Sequence, residues 1–160
     1  MSNNMFLVDT SAWIIALRKD FGPEVKERID HLLKENCIIT TGMVKLEILG
    51  GTKTESEFLR LKRRLDALDS VDFDTSLWEK SYDLAFQLRR KGITVPYTDI
   101  LIAACALKTG STVVHAGYLF TGLVEGRYSP FSINCKNTIS NTVQDYPCLC
   151  FNRIVCLHDG

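Results

Sequence analysis

The sequence has no excess of either charge: nineteen Lys and Arg side chains are balanced by nineteen Asp and Glu, for a formal net charge of +0. No global field therefore draws the chain to nucleic acid, and any such attraction must come from a local patch. Long apolar runs are missing as well. The stretch Met5 to Val8 is stopped by Asp9, too short for a secretion signal, and no segment approaches the length of a membrane span, so the expectation is a cytoplasmic protein. No Gly-rich phosphate loop follows that first apolar run, where the residues are Thr10-Ser11-Ala12-Trp13, which weighs against a nucleotide-binding doubly wound domain. Paired C-x₂-C knuckles are lacking too. Of six cysteines, Cys37 and Cys105 lie in apolar segments where a thiol packs as a small hydrophobe, so reduced thiols are expected. Cys135, Cys148, Cys150, Cys156 and His158 are enough zinc ligands by number, but their irregular spacing makes unordered or buried thiols the simpler reading.

What is present is an alternation of short apolar runs and helical patterns. Residues 5 to 9 (MFLVD) read as a strand ending in an acid, followed by a helix marked by Trp13, Ile14 and Leu17. A second helix fits 23 to 35, with Pro23 in its first turn and Val25, Ile29, Leu32 and Leu33 on one face, before a strand from Cys37 to Thr40. A helix from about Met43 to Leu49 closes at Gly50 and Gly51. The next carries Phe58, Leu61, Leu65 and Leu68, and the two are expected to form a hairpin. Residues 71 to 73 fit a brief strand and 75 to 91 a helix with Trp78, Tyr82 and Ala85 inward, ended by Gly92. Thr98 is a candidate cap for a helix bearing Ile100, Ala103, Ala104 and Leu107, stopped by Gly110, after which Ser111 to His115 reads as a strand. This alternation predicts an α/β chain, a three-layer α/β/α sandwich around a central, mainly parallel sheet, with its ligand crevice outside the carboxyl ends of the strands. The composition changes after about Glu125, so the domain is drawn over 1–125 and 126–160 is left as an atypical tail, in which 151 to 157 (FNRIVCL) is a candidate last strand.

Three acids fall at corresponding places in this pattern: Asp9 ends the first strand, Glu47 lies in the helix after the second, and Asp99 opens a later helix. All can reach one crevice. Carboxylates brought together repel and raise each other's pKa unless a cation neutralises them. Mg²⁺ takes oxygen ligands, keeps several waters and commonly uses one or two carboxylates, so Asp9 and Asp99 suit it as ligands while Glu47 holds or activates a water. The matching reaction is phosphodiester hydrolysis. Taken singly, each acid has a simpler explanation. Asp9 suits a helix cap, Asp99 suits a helix's first turn through the macrodipole, and Glu47 between Leu46 and Ile48 suits an exposed helical position.

The segments LVDTSAWI, MVKLEILGG and VPYTDILIAACALKTGSTVVHAGYLF resemble the motifs of PIN-domain ribonucleases, especially the VapC-type toxins of toxin–antitoxin pairs, over about residues 5 to 125. By that resemblance Asp9, Glu47 and Asp99 match the metal-binding acids, and Ser11 matches the small hydroxyl residue that supports them. The resemblance implies an endoribonuclease using Mg²⁺ or Mn²⁺, a homodimer joined through the helical hairpin, and a cognate antitoxin as partner. One departure stands out. Family members usually carry another aspartate just after the strand following the Asp99 helix, whereas this chain reads His115-Ala-Gly117-Tyr-Leu119-Phe, with Gly117 at that place. A second ion or its water should then be held less well, which keeps open a reading as a PIN-like module that binds protein or RNA without turnover. His115 is the one nearby substitute, and a histidine at a strand end is more often a surface or capping residue than a ligand.

Basic residues are the candidates for holding RNA phosphates, in one run of Arg60, Lys62, Arg63 and Arg64 and another of Arg89, Arg90 and Lys91. The plainer alternative is a solvated helix face, since Glu57, Asp66, Asp69 and Glu79 offer nearby partners.

Overall fold

A computed structural model of the chain describes residues 5–18, 23–115 and the backbone of 154–156. Strand β1 (Phe6–Val8) is followed by helices α1 (Thr10–Leu17) and α2 (Pro23–Lys34), then strand β2 (Ile38–Thr41) and helices α3 (Gly42–Gly50) and α4 (Glu55–Asp66). Strand β3 (Asp69–Val71), helices α5 (Thr75–Arg90) and α6 (Tyr97–Thr109), and strands β4 (Thr112–His115) and β5 (Ile154–Cys156) complete the order. Short polar side chains decide where several helices begin. Asp9, Thr41, Thr54 and Asp74 cap α1, α3, α4 and α5 by accepting from Ser11, Val44, Glu57 and Leu77 N–H groups. At the other end of α6, Gly110 takes a φ of 66°, a left-handed turn that a side chain would resist.

The sheet runs β3-β2-β1-β4-β5 with every neighbouring pair parallel, as in the expected α/β/α architecture. Strand β5 falls within the candidate strand at 151–157 and pairs Val113 with Ile154 and His115 with Cys156. The remaining residues of the tail, including Cys135, Cys148, Cys150 and His158, lie outside the described residues, as does Gly117. Helices pack on the sheet through α1 and α6 against β4 and α3 against β2. Their apolar faces enclose a core that includes Leu7, Val8, Ile29, Val44, Leu77, Ile102 and Val113. The chain leaves β1 toward β2 on one side and returns to β4 on the other, so the strand order reverses beside β1. In a sheet of this kind a ligand crevice opens outside the carboxyl ends of the strands at that reversal.

Several positions differ from the sequence expectation. Trp78 and Tyr82 point outward, 39% and 57% exposed, and α5 instead buries Leu77, Ser81, Leu84 and Leu88. Two stripes of equal period run along α5 one residue apart; α5 packs against α6, and it is the leucine stripe that joins the core. On α4 the core face is Leu61 and Leu65, while Phe58 is 37% exposed. Helix α6 starts at Tyr97, with Pro96 in the cap position and no side-chain cap, so Thr98 is not the cap and Asp99 is the third residue of the helix. His115 is not a surface residue: it is 1% exposed at the end of β4, covered on one side by its pairing with β5.

Candidate active site

Asp9 sits where β1 ends and α1 begins, 6% exposed. Its main-chain N–H donates to the Val114 carbonyl at 2.8 Å, which fixes the end of β1 to β4 at the reversal of strand order. One carboxylate oxygen, Oδ2, accepts from the Ser11 N–H at 3.0 Å and from the Ser11 hydroxyl at 2.5 Å. The helix-capping role anticipated for Asp9 is therefore real. It occupies one oxygen of the carboxylate, and Ser11 supplies both donors to that oxygen.

Glu47 projects from α3, half-buried, between Leu46 at 66% exposure and Ile48 at 6%. It is not simply an exposed helical position, because its Oε2 accepts from the hydroxyl of Thr10 at the start of α1. Helix α3 also packs against both α1 and α6. Thr10 is a residue that the sequence pattern does not single out. Its signal is its place directly between Asp9 and Ser11, where a hydroxyl in a helix's first position has no earlier helical carbonyl to bond.

Asp99 is half-buried in the first turn of α6, with the Thr98 hydroxyl 3.5 Å from its Oδ1. Burial, then the charge of Asp9, then that of Glu47 push its carboxyl up to about 6, against a weaker lowering by Thr98. The charges of Asp9, just after β1, and of Glu47 on α3 thus both act on Asp99 on α6, so the three acids share one electrostatic neighbourhood.

The fit of this neighbourhood to a metal ion rests on its donors. They are carboxylate oxygens held by hydroxyls, with no thiol or imidazole among the three acids, which is the chemistry of a hard divalent cation such as Mg²⁺. Among the described residues no three His, Cys, Asp or Glu side chains stand close enough to grip an ion together. Mg²⁺ commonly takes only one or two carboxylates, with water completing its shell.

The basic candidates divide. Lys62 is committed to Asp66 at 2.5 Å, joined there by Lys45 at 3.1 Å, and together these hold the Asp66 carboxyl below its usual value. For Lys62 the solvated-pair reading holds. Arg60, Arg63 and Arg64 line an open surface groove along α4 with Glu55, Ser56 and Leu59. Arg89 and Arg90 stand in the last turn of α5, where a cation suits the helix dipole, and the Arg90 guanidinium lies 5.9 Å from the centre of the Phe86 ring. Among the described residues none of Arg60, Arg63, Arg89 or Arg90 forms an ion pair with the three acids. No helix among the described residues is long and apolar enough to cross a membrane.

A family model described as PIN domain matches residues 6–121. No curated protein matches the sequence. Among solved structures, the chain is similar to VapBC2 from Rickettsia felis, crystallised with a DNA fragment from its promoter. The two share 24% identity at a TM-score of 0.61, over 71% of this chain and 87% of that one. It is also similar to a toxin–antitoxin complex from Klebsiella pneumoniae, at 18% identity and a TM-score of 0.59, over 79% of this chain and 98% of that one. FitAcB from Neisseria gonorrhoeae shares 20% identity at a TM-score of 0.58, over 69% and 86%. At these identities the likeness establishes a shared fold.

Proposed function

The chain belongs to the PIN-domain family, and from that premise we propose that it is a cytoplasmic, metal-dependent endoribonuclease of the VapC type, the toxin of a toxin–antitoxin pair. The observation that carries this reading is the coupling of Asp9 and Glu47 to Asp99, whose carboxyl they help push up to about 6. A cation bound beside these carboxylates would relieve the repulsion that Asp9 and Glu47 exert on Asp99.

Asp9 and Asp99 would hold Mg²⁺ or Mn²⁺, with Glu47 binding or activating water beside it. When bound, the ion supplies charge that polarises the phosphate and stabilises the leaving oxygen. The protein's own residues do the positioning. Ser11 fixes Asp9 through Oδ2, and the bond from Asp9 N–H to Val114 anchors that acid to the sheet. Arg60 and Arg63 on α4, with Arg89 and Arg90 on α5, would neutralise RNA phosphates, since none is engaged by an acid among the described residues. An antitoxin partner and a homodimer belong to the same reading. The exposed Leu46, Phe58 and Leu59 on α3 and α4 support a dimer interface through that helical pair.

The test is to incubate the purified protein with structured and unstructured RNA in Mg²⁺ or in EDTA, beside Asp9→Asn. Cleavage that needs both the ion and Asp9 is expected; cleavage indifferent to both would defeat the proposal. The second reading, a PIN-like module that binds protein or RNA without turnover, is favoured by the acid-free stretch from His115 to Phe120. Gly117→Asp separates the two. An enzyme weakened at one ligand should gain rate from the restored acid, and a binding module should stay inert.

A further inference from the structure

Two successive hydroxyls in the first turn of α1 serve two different acids. Ser11 turns back to Asp9, the residue that caps its own helix. Thr10 reaches away from that helix, to Glu47 on α3. Threonines inside helices commonly return their hydroxyl to the carbonyl four residues earlier, as Thr109 does at Cys105. Thr10, as the first residue of α1, has no such carbonyl within the helix and can donate outward. Its branched side chain has few χ1 choices, so the direction of that donation is set by the backbone. Glu47 has the opposite character, a long side chain with several rotatable bonds on a half-buried surface, which loses orientation readily without a partner.

We propose that Thr10 is a positioning residue for Glu47, presenting its carboxylate to the cation held near Asp9 and Asp99. The inference rests on the metal-site reading above and adds to it a residue that takes no part as a ligand. The hydroxyl acts by occupying one lone pair of Oε2, which leaves Oε1 and the remaining lone pair for water or metal. Because Thr10 adjoins Asp9 in the chain, one helical turn aligns two of the three acids.

The experiment is Mn²⁺ titration of the metal-free full chain, followed by electron paramagnetic resonance and by calorimetry. It compares wild type with Asp9→Asn, Thr10→Ser, Thr10→Ala, Thr10→Val, Glu47→Gln and the Thr10→Val/Glu47→Gln double variant. Thr10→Val and Thr10→Ala should weaken Mn²⁺ binding by about tenfold, the size typical for loss of a residue that orients a ligand. Thr10→Ser keeps the hydroxyl and should bind as wild type does. In the Glu47→Gln background Thr10→Val should add no further loss, a result that general damage to the fold would not give. Thermal unfolding of each metal-free variant shows which are folded, and the Ser and Ala variants decide the matter if the Val variant is not. Equal binding by Thr10→Ser and Thr10→Ala, in a protein that loses Mn²⁺ on Asp9→Asn, overturns the role of Thr10 and leaves the site standing. Wild type that does not take up Mn²⁺, or takes it up regardless of Asp9→Asn, overturns the site itself.

Discussion

Asp9 bears on Asp99: the carboxylate that closes β1 raises the carboxyl in the first turn of α6, after burial and ahead of Glu47, up to about 6. The unfolded chain has no such crowding, and there the group returns to its ordinary value of 3.8. Between those values the folded state binds more protons than the unfolded state, so stability falls as pH rises.

In the absence of divalent ions, wild type should therefore lose stability between about pH 4 and pH 6 relative to Asp99→Asn. The difference should be on the order of 1–2 kcal/mol after discounting for the carboxyl's partial exposure. Urea denaturation at a series of pH values measures it. Identical pH profiles for the two proteins would remove the electrostatic link between the acids.

Adding the cation should reverse that penalty. Mg²⁺ or Mn²⁺ at about a hundred times its dissociation constant should stabilise the folded protein by about 2.7 kcal/mol. EDTA should return it to the starting value, and Asp9→Asn or Asp99→Asn should abolish the gain. Thermal unfolding with and without the ion reads this directly, and an equal gain in the variants would mean that the ion binds elsewhere.

The two stripes of α5 make a prediction about the core. Leu77 is fully buried and Trp78, beside it in sequence, is 39% exposed, its ring tilted against those of Phe73 and Tyr82. Leu77→Ala should cost about 2–5 kcal/mol of stability, whereas Trp78→Ala should cost about 1 kcal/mol. Chemical denaturation of both variants checks the order. A larger loss at Trp78 would restore the inward aromatic face that the sequence suggested.

That reversal shows where the sequence could be read and where it could not. Strands and helices were legible because β1, β2 and β4 are short buried runs and because Pro23, Gly92 and Gly110 punctuate the helices. Asp9, Glu47 and Asp99 could be put forward as a group because Asp9 follows the first strand, Glu47 lies in the helix after the second and Asp99 stands in the first turn of a later helix. The buried face of α5 was not, since leucine and aromatic stripes of one period satisfy the same pattern and only packing into the core separates them. Thr10 escaped for a related reason: its partner Glu47 lies on another helix, and no local spacing encodes a bond between elements.

Arginine on α4 should matter through phosphate. The Arg60→Ala/Arg63→Ala variant, tested with a catalytically inert Asp9→Asn background, should bind RNA more weakly. Its dependence of log affinity on log salt should flatten by about one for each phosphate no longer neutralised. Arg89→Ala/Arg90→Ala should do likewise at the end of α5. Fluorescence anisotropy across a salt series gives both slopes, and unchanged slopes would assign these arginines to solvated helix faces.

Catalysis of the proposed kind requires one cation lying among the carboxylates of Asp9, Glu47 and Asp99. The most direct measurement is a crystal of the protein soaked in Mn²⁺ and recorded for anomalous scattering. An anomalous peak within ligand distance of Asp9 and Asp99, with Glu47 beside it directly or through water, is the predicted result. Saturating Mn²⁺ that leaves those three carboxylates without a peak, or places its peak away from them, would contradict it.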